Sequence, residues 1–153
     1  MIERFIRDCL LDTNSNYRRE LLRILRVYLI RLQLFAIRHF NHLIELINDA
    51  IDISLLRVDA LELFIVILQL FQPRIHVHRT DLMKIIVRCG FKIVHEEKSN
   101  SLVNNLLKKS IENLHLSTTE NYVPDALKSL VETSQLDSIY RDYFQTLVDS
   151  LSD

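Results

Sequence analysis

Apolar residues recur along this chain at spacings of three and four, the period of helices that bury one face. Over residues 1–12 the pattern is carried by Ile2, Phe5, Ile6, Cys9 and Leu10. The polar run 12–16 interrupts it, and Asn14, Ser15 or Asn16 is placed to cap the next helix. A second helix is expected over 17–31, with Leu21, Leu22, Leu25, Tyr28 and Leu29 inward. A third is expected over 34–51, with Phe35, Ala36, His39, Phe40, Leu43, Leu46, Ile47 and Ile51 inward. Only Leu32 and Gln33 are left for the turn between them. One kinked helix is therefore the alternative, but at about 35 residues it is long for a globular protein.

Residues 54–71 form the fourth expected helix. Its middle, Leu63 to Leu68, is a continuous apolar run that taken alone also suits a buried strand. The flanking residues extend it to a helical length, and apolar residues surround it, so it is expected to be the most buried element. Pro73 stops it. A fifth helix runs from about 76 or 80 to 95, lined by Leu82, Ile85, Ile86, Cys89, Ile93 and Val94. Gly90 inside it costs about 1 kcal/mol relative to alanine, and a close helix approach would explain its presence. The polar residues 96–100 end in a Ser99 or Asn100 cap. Helices over 101–115, about 119–133 and 136–151 complete the chain, with Pro124 in an early turn, where proline is tolerated.

The expected fold is therefore all-α, with about eight helices joined by short loops. Consecutive pairs recur over 17–51, 54–95 and 101–133, about every 40 residues, the period of HEAT or armadillo helix pairs. This predicts one helical-repeat domain over 1–153, or a piece of a longer helical-pair solenoid; a compact bundle is the alternative.

Composition supports the helical reading. The 153 residues hold one glycine and two prolines, too few for the tight turns of a sheet-rich domain. Cys9 and Cys89 sit among apolar neighbours and read as reduced core residues. The N-terminus is too charged for a secretory signal. The longest apolar stretch, Ala60 to Phe71, is interrupted by Glu62 and Gln69 and falls short of the roughly 20 residues that span a bilayer. These features predict a soluble protein of the cytoplasm, with the nucleus as a second location, and no membrane partner. The formal net charge of −1 predicts no nucleic-acid partner either.

A search for chemistry returns little. His39 and His42 are three apart, His76 and His78 form an HxH, and His95 and His115 stand alone. None builds the three- or four-ligand pattern of a zinc site. With one glycine there is no phosphate-cradling loop and no nucleophile elbow, so neither catalysis nor a cofactor is expected. One cluster stands out. Arg19, Arg23 and Arg26, with Arg18 alongside, form a basic stripe on the second expected helix. The stripe has two readings, a dock for an acidic partner surface or for phosphates, and the solvated back of an amphipathic helix.

The segment from about 28 to 95 resembles the C-terminal helical-repeat half of the Tel-two-interacting protein two family, the second Tti subunit of the Triple T co-chaperone complex. The resemblance rests on the Arg38-His39 pair and on Gln72-Pro73-Arg74-Ile75, followed by His78. Gln72 stands where the family has tryptophan, and Gln33 where it has a glycine. The resemblance implies a non-catalytic scaffold that binds the other Tti subunit and Tel two. With the heat-shock-protein-ninety machinery, it would support maturation of phosphatidylinositol-3-kinase-related kinases. The proline segment then reads as an architectural corner, with Arg74 placed to bond carbonyls at the end of the preceding helix.

Overall fold

Across most of the described residues, helical periodicity becomes α-helix. The computed structural model describes Arg4 and residues 15–32, 38–96, 101–118, 121–133 and 135–152. Among these residues there are seven α-helices, the 3-10 segments Ser54–Leu56 and Gln72–His78, two further 3-10 residues at 38–39, and no strand. The helix expected over 1–12, the Leu32–Gln33 turn beyond Leu32 and the caps at Ser99 and Asn100 lie outside the described residues, except that Arg4 is helical. Two compact units divide the chain, residues 1–72 and 73–153, and the boundary falls at the expected proline corner.

The first unit contains α1 (Ser15–Leu32), α2 (Phe40–Ile51), a 3-10 turn (Ser54–Leu56) and α3 (Arg57–Leu70). α3 contacts both α1 and α2. That central place follows from its composition: Ala60, Leu61, Leu63, Phe64, Ile67 and Leu68 are buried on a broad face, and the half-buried Ile65 and Val66 carry the apolar surface round to the other side. The apolar run that also suited a strand lies wholly within α3. From the other helices, Leu22, Leu25 and Leu29 of α1 and Leu43, Leu46 and Ile47 of α2 are buried too. Phe40 meets Phe71 edge-on at 5.9 Å between centroids.

The start of α2 differs from the expected residue 34. It begins at Phe40, and His39 is its N-terminal flanking residue rather than an interior position. His39 is nonetheless buried, as expected for its inward register. At the other end, Arg57 is fully buried and its Nε donates to the Ile51 carbonyl at 2.8 Å. The last carbonyls of a helix lack intrahelical donors and carry the negative end of the helix dipole. A cation there offsets the desolvation of both groups.

α3 ends at Leu70, three residues before Pro73, with the Phe71 N–H still donating to the Ile67 carbonyl at 3.0 Å. The residue before a proline is disfavoured in the α region, so the helix closes early. A 3-10 segment, Gln72–His78, follows.

The second unit contains α4 (Arg79–Glu96), α5 (Ser101–Ser117), α6 (Tyr122–Val131) and α7 (Ser138–Ser152). Neighbours in sequence contact one another, and α4 also contacts α7. That contact closes the four helices on themselves, as a compact bundle does and a strict nearest-neighbour array does not. Gly90 permits the closure. A Cβ placed there would lie 2.7 Å from Cε1 and 2.8 Å from Cζ of Phe144 on α7. The close helix approach expected at Gly90 is thus its contact with α7. Pro124 sits third in α6, within the first turn, where the missing N–H costs no intrahelical bond.

Two stability outcomes are expected. Gly90→Ala gains about 1 kcal/mol of helix propensity. It loses about 1–3 kcal/mol to overpacking, because the Phe144 ring is buried against Phe91 and Tyr143 and has nowhere to move. Thermal melts should show a net loss, recovered in Gly90→Ala/Phe144→Leu. Arg57→Leu strips the Ile51 carbonyl of its charged donor and should cost about 1–3 kcal/mol in urea unfolding.

Candidate interaction faces

The basic stripe of α1 has its partners inside the fold. Asp59 of α3 is buried, its side chain 5% exposed. Its Oδ2 accepts from Arg19 Nε at 3.0 Å, and its Oδ1 accepts from Arg23 Nε at 3.1 Å. Arg26 pairs with Glu62 one turn further along α3, and Arg18 pairs with Asp49 of α2. Arg23 also takes Glu20 at 2.8 Å. The Asp59 hydrogen bond and charge raise the Arg23 guanidinium above its ordinary range. Residue 19 meets 59 and residue 26 meets 62, so α1 and α3 run in the same direction. Arg19 and Arg23 stay about two-fifths exposed, so the stripe keeps a solvated side while its guanidiniums reach the acids of α3. The arginines are a polar seam between helices.

With its charges turned to α3, α1 carries apolar side chains outward. Tyr17, Ile24 and Val27, spaced i, i+7 and i+10, are 50%, 41% and 50% exposed. Ile24, Val27, Tyr28 and Arg31 line a groove of about 290 Å³. α1 therefore has two apolar faces. One is buried through Leu21, Leu22, Leu25 and Leu29, and the other is open. The heptad spacing of Tyr17, Ile24 and the neighbouring Arg31 was readable in the sequence, but a single buried face accounted for the periodicity and concealed the second.

The residues of the proline segment do not converge on one point. Pro73, Arg74, Ile75 and His78 lie in the 3-10 segment, with Ile75 buried and Arg74 exposed. The arginine that bonds a carbonyl of this segment is Arg79, whose Nη1 donates to His76 O at 2.8 Å. Arg38 and His39 lie at the entrance to α2, where Arg38 Nε donates to His39 Nε2 at 3.2 Å. Among the described residues no group of three or more His, Cys, Asp or Glu side chains could hold a metal ion. No described helix is long and apolar enough to cross a membrane.

In the second unit, Tyr143 of α7 donates its hydroxyl to Asn104 Oδ1 at 2.8 Å. Burial, with a smaller contribution from the charge of Cys89, raises its phenol well above the ordinary tyrosine value. Cys89 is a buried residue of α4, and Cys9 lies outside the described residues. Three further cations were missed in the sequence. Lys84, Arg88 and Lys92 recur every four residues along α4.

Comparison of the chain with protein-family models, curated proteins and solved structures gave no match.

Two measurements check these assignments. Asp59→Ala leaves two guanidiniums without their shared acceptor, whereas Glu62 is about one-third exposed and solvent can replace its pair. Asp59→Ala should therefore lower the melting midpoint more than Glu62→Ala. For Tyr143, a raised phenol pKa favours the folded state only while the unfolded chain's tyrosine stays neutral. Stability should hold below about pH 9 and fall as pH rises past about 10, where the unfolded tyrosine ionises first. Tyr143→Phe should make that alkaline decline shallower.

Proposed function

We propose that this chain is a non-catalytic protein-binding scaffold, a helical-pair repeat subunit of the Triple T co-chaperone type. The observation that carries the reading is the second apolar face of α1, where Tyr17, Ile24 and Val27 stand open beside a groove. A contiguous exposed apolar face marks a contact site for another protein. Each of these half-exposed side chains offers about 1 kcal/mol on burial, and aromatic residues such as Tyr17 and Tyr28 are favoured anchors.

Other observations support the repeat. α1 and α3 pack directly on each other and run in the same direction, as equivalent helices of successive pairs do, and α2, which lies between them in the sequence, packs mainly on α3. The Gln72–His78 corner separates the two compact units, which fits an architectural rather than a contacting role for the family-like residues there. In this reading the partners are the other Tti subunit, Tel two and the chaperone machinery, and the complex supports maturation and stability of phosphatidylinositol-3-kinase-related kinases. A second reading is an unrelated HEAT or armadillo adaptor for complex assembly or transport. The contact of α4 with α7 favours it, because that closure belongs to a short compact array.

Co-expression with the other Tti subunit, followed by affinity capture at low salt, tests the proposal. Capture should succeed with the native chain. It should fall about tenfold or more with Ile24→Arg/Val27→Arg, since about 1.4 kcal/mol corresponds to each decade. The melting midpoint should stay put because both positions are exposed. Failure of the native chain to capture that subunit sinks the Triple T reading. Capture that survives the double substitution removes α1 as the contact face.

A further inference from the structure

The outer face of α1 carries charge as well as apolar side chains, and in a symmetrical order. Glu20, Ile24, Val27 and Arg31 follow one another at intervals of four, three and four residues. At 3.6 residues per turn these four lie within about 60° of one another around the helix, on a line about 16 Å long. The apolar pair sits in the middle, with the acid at one end and the cation at the other. All four reach solvent. Glu20 lends Oε1 to Arg23 and still keeps its side chain 62% exposed. Arg31 is exposed and borders the groove formed with Ile24, Val27 and Tyr28. Residues 27–35 contain no acid, so Arg31 has no opposite charge within a turn of it along the chain.

We propose that this line is a contact for a second copy of the chain, with the two α1 helices antiparallel. Intervals of four, three and four read the same in both directions. A two-fold axis crossing the pair midway between residues 25 and 26 therefore sets Ile24 against Val27 and Glu20 against Arg31, each twice. The patch is complementary to itself in charge and in apolar surface. In the parallel arrangement Glu20 would meet Glu20 and Arg31 would meet Arg31, and both contacts repel. Alternating steps of three and four are those of a coiled-coil seam, where each side chain enters a hole on the facing helix, and the groove beside Ile24 and Val27 offers such a hole. A polyanion would satisfy Arg31 but be repelled by Glu20. The patch is small, so the pair is weak, with a dissociation constant of about 0.1 mM. At micromolar concentration the face is open to another partner, and at high concentration the second copy covers it. The inference rests on the open face of α1 that carries the scaffold reading and adds a competitor for it. It does not rest on the Triple T assignment.

Sedimentation of the full chain from about 0.01 to 1 mM tests the proposal. The mass should rise reversibly from one copy toward two. Glu20→Arg places two arginines opposite two arginines, and Arg31→Glu places two glutamates opposite two glutamates. Each alone should weaken the pair about tenfold. An equimolar mixture of the two variants restores opposite charges at both ends and should associate as strongly as the native chain. The double variant Glu20→Arg/Arg31→Glu should do the same. Both positions are exposed, so the circular-dichroism spectrum of each variant should match that of the native chain. Ile24→Arg/Val27→Arg should abolish the pair. A single mass at 1 mM contradicts the proposal. So does a pair that neither single variant weakens, a mixture no stronger than its components, or a pair that survives Ile24→Arg/Val27→Arg. Failure to capture the other Tti subunit, with self-association intact, would remove the Triple T reading alone. Loss of self-association, with capture intact, would remove this inference alone.

Discussion

Asp59 holds its carboxylate at the contact of α1 with α3, almost out of water, with a guanidinium on each oxygen. A buried carboxylate is tolerated only when paired and hydrogen-bonded, so α3 can occupy its central place only with arginines brought to it. That requirement fixes the rotation of α1 about its own axis. Arg19, Arg23 and Arg26 must face α3, Leu22, Leu25 and Leu29 then enter the core, and Tyr17, Ile24 and Val27 are left outside. The open apolar face is thus a consequence of where the charges are used.

A comparable dependence holds in the second unit, where the limiting quantity is space. α4 and α7 approach closely enough for Phe144 to lie where a side chain at residue 90 would be. The phenyl ring is fully buried, with Phe91 and Tyr143 at 5.2 and 5.7 Å between centroids. The same α4–α7 contact brings Tyr140 beside Phe91 and so builds a wall of one groove on the outer edge of α4. A single glycine therefore bears on both the core and the shape of that surface.

Much of this was legible in the sequence. The periodicity located every described helix to within a few residues, apart from the start of α2, and the dearth of glycine and proline excluded a sheet-rich fold. α2 begins six residues later than the apolar register suggests, because hydrophobic spacing reports which face is inward and not where backbone hydrogen bonding begins. The arginine stripe was visible, but its role was not. Asp59 and Glu62 lie about 40 residues away, and no local pattern announces a long-range ion pair. The second apolar face of α1 and the cations of α4 were hidden for a related reason. Periodicity explains a helix once it has one buried side, and what the other sides do depends on neighbours that only the fold supplies.

The orientation of α1 is the claim on which the scaffold reading rests, and single-cysteine labelling reads it directly. With Cys9 and Cys89 replaced by serine and alanine, one cysteine at a time is placed at 22, 24, 25, 27 and 29, and its rate of thiol alkylation is measured. Residues 24 and 27 should react nearly as fast as in the unfolded chain, and residues 22, 25 and 29 should be strongly protected. Protection at 24 and 27 equal to that at 25 would mean that the chain itself covers this face, and the account of α1 as a docking surface would fail.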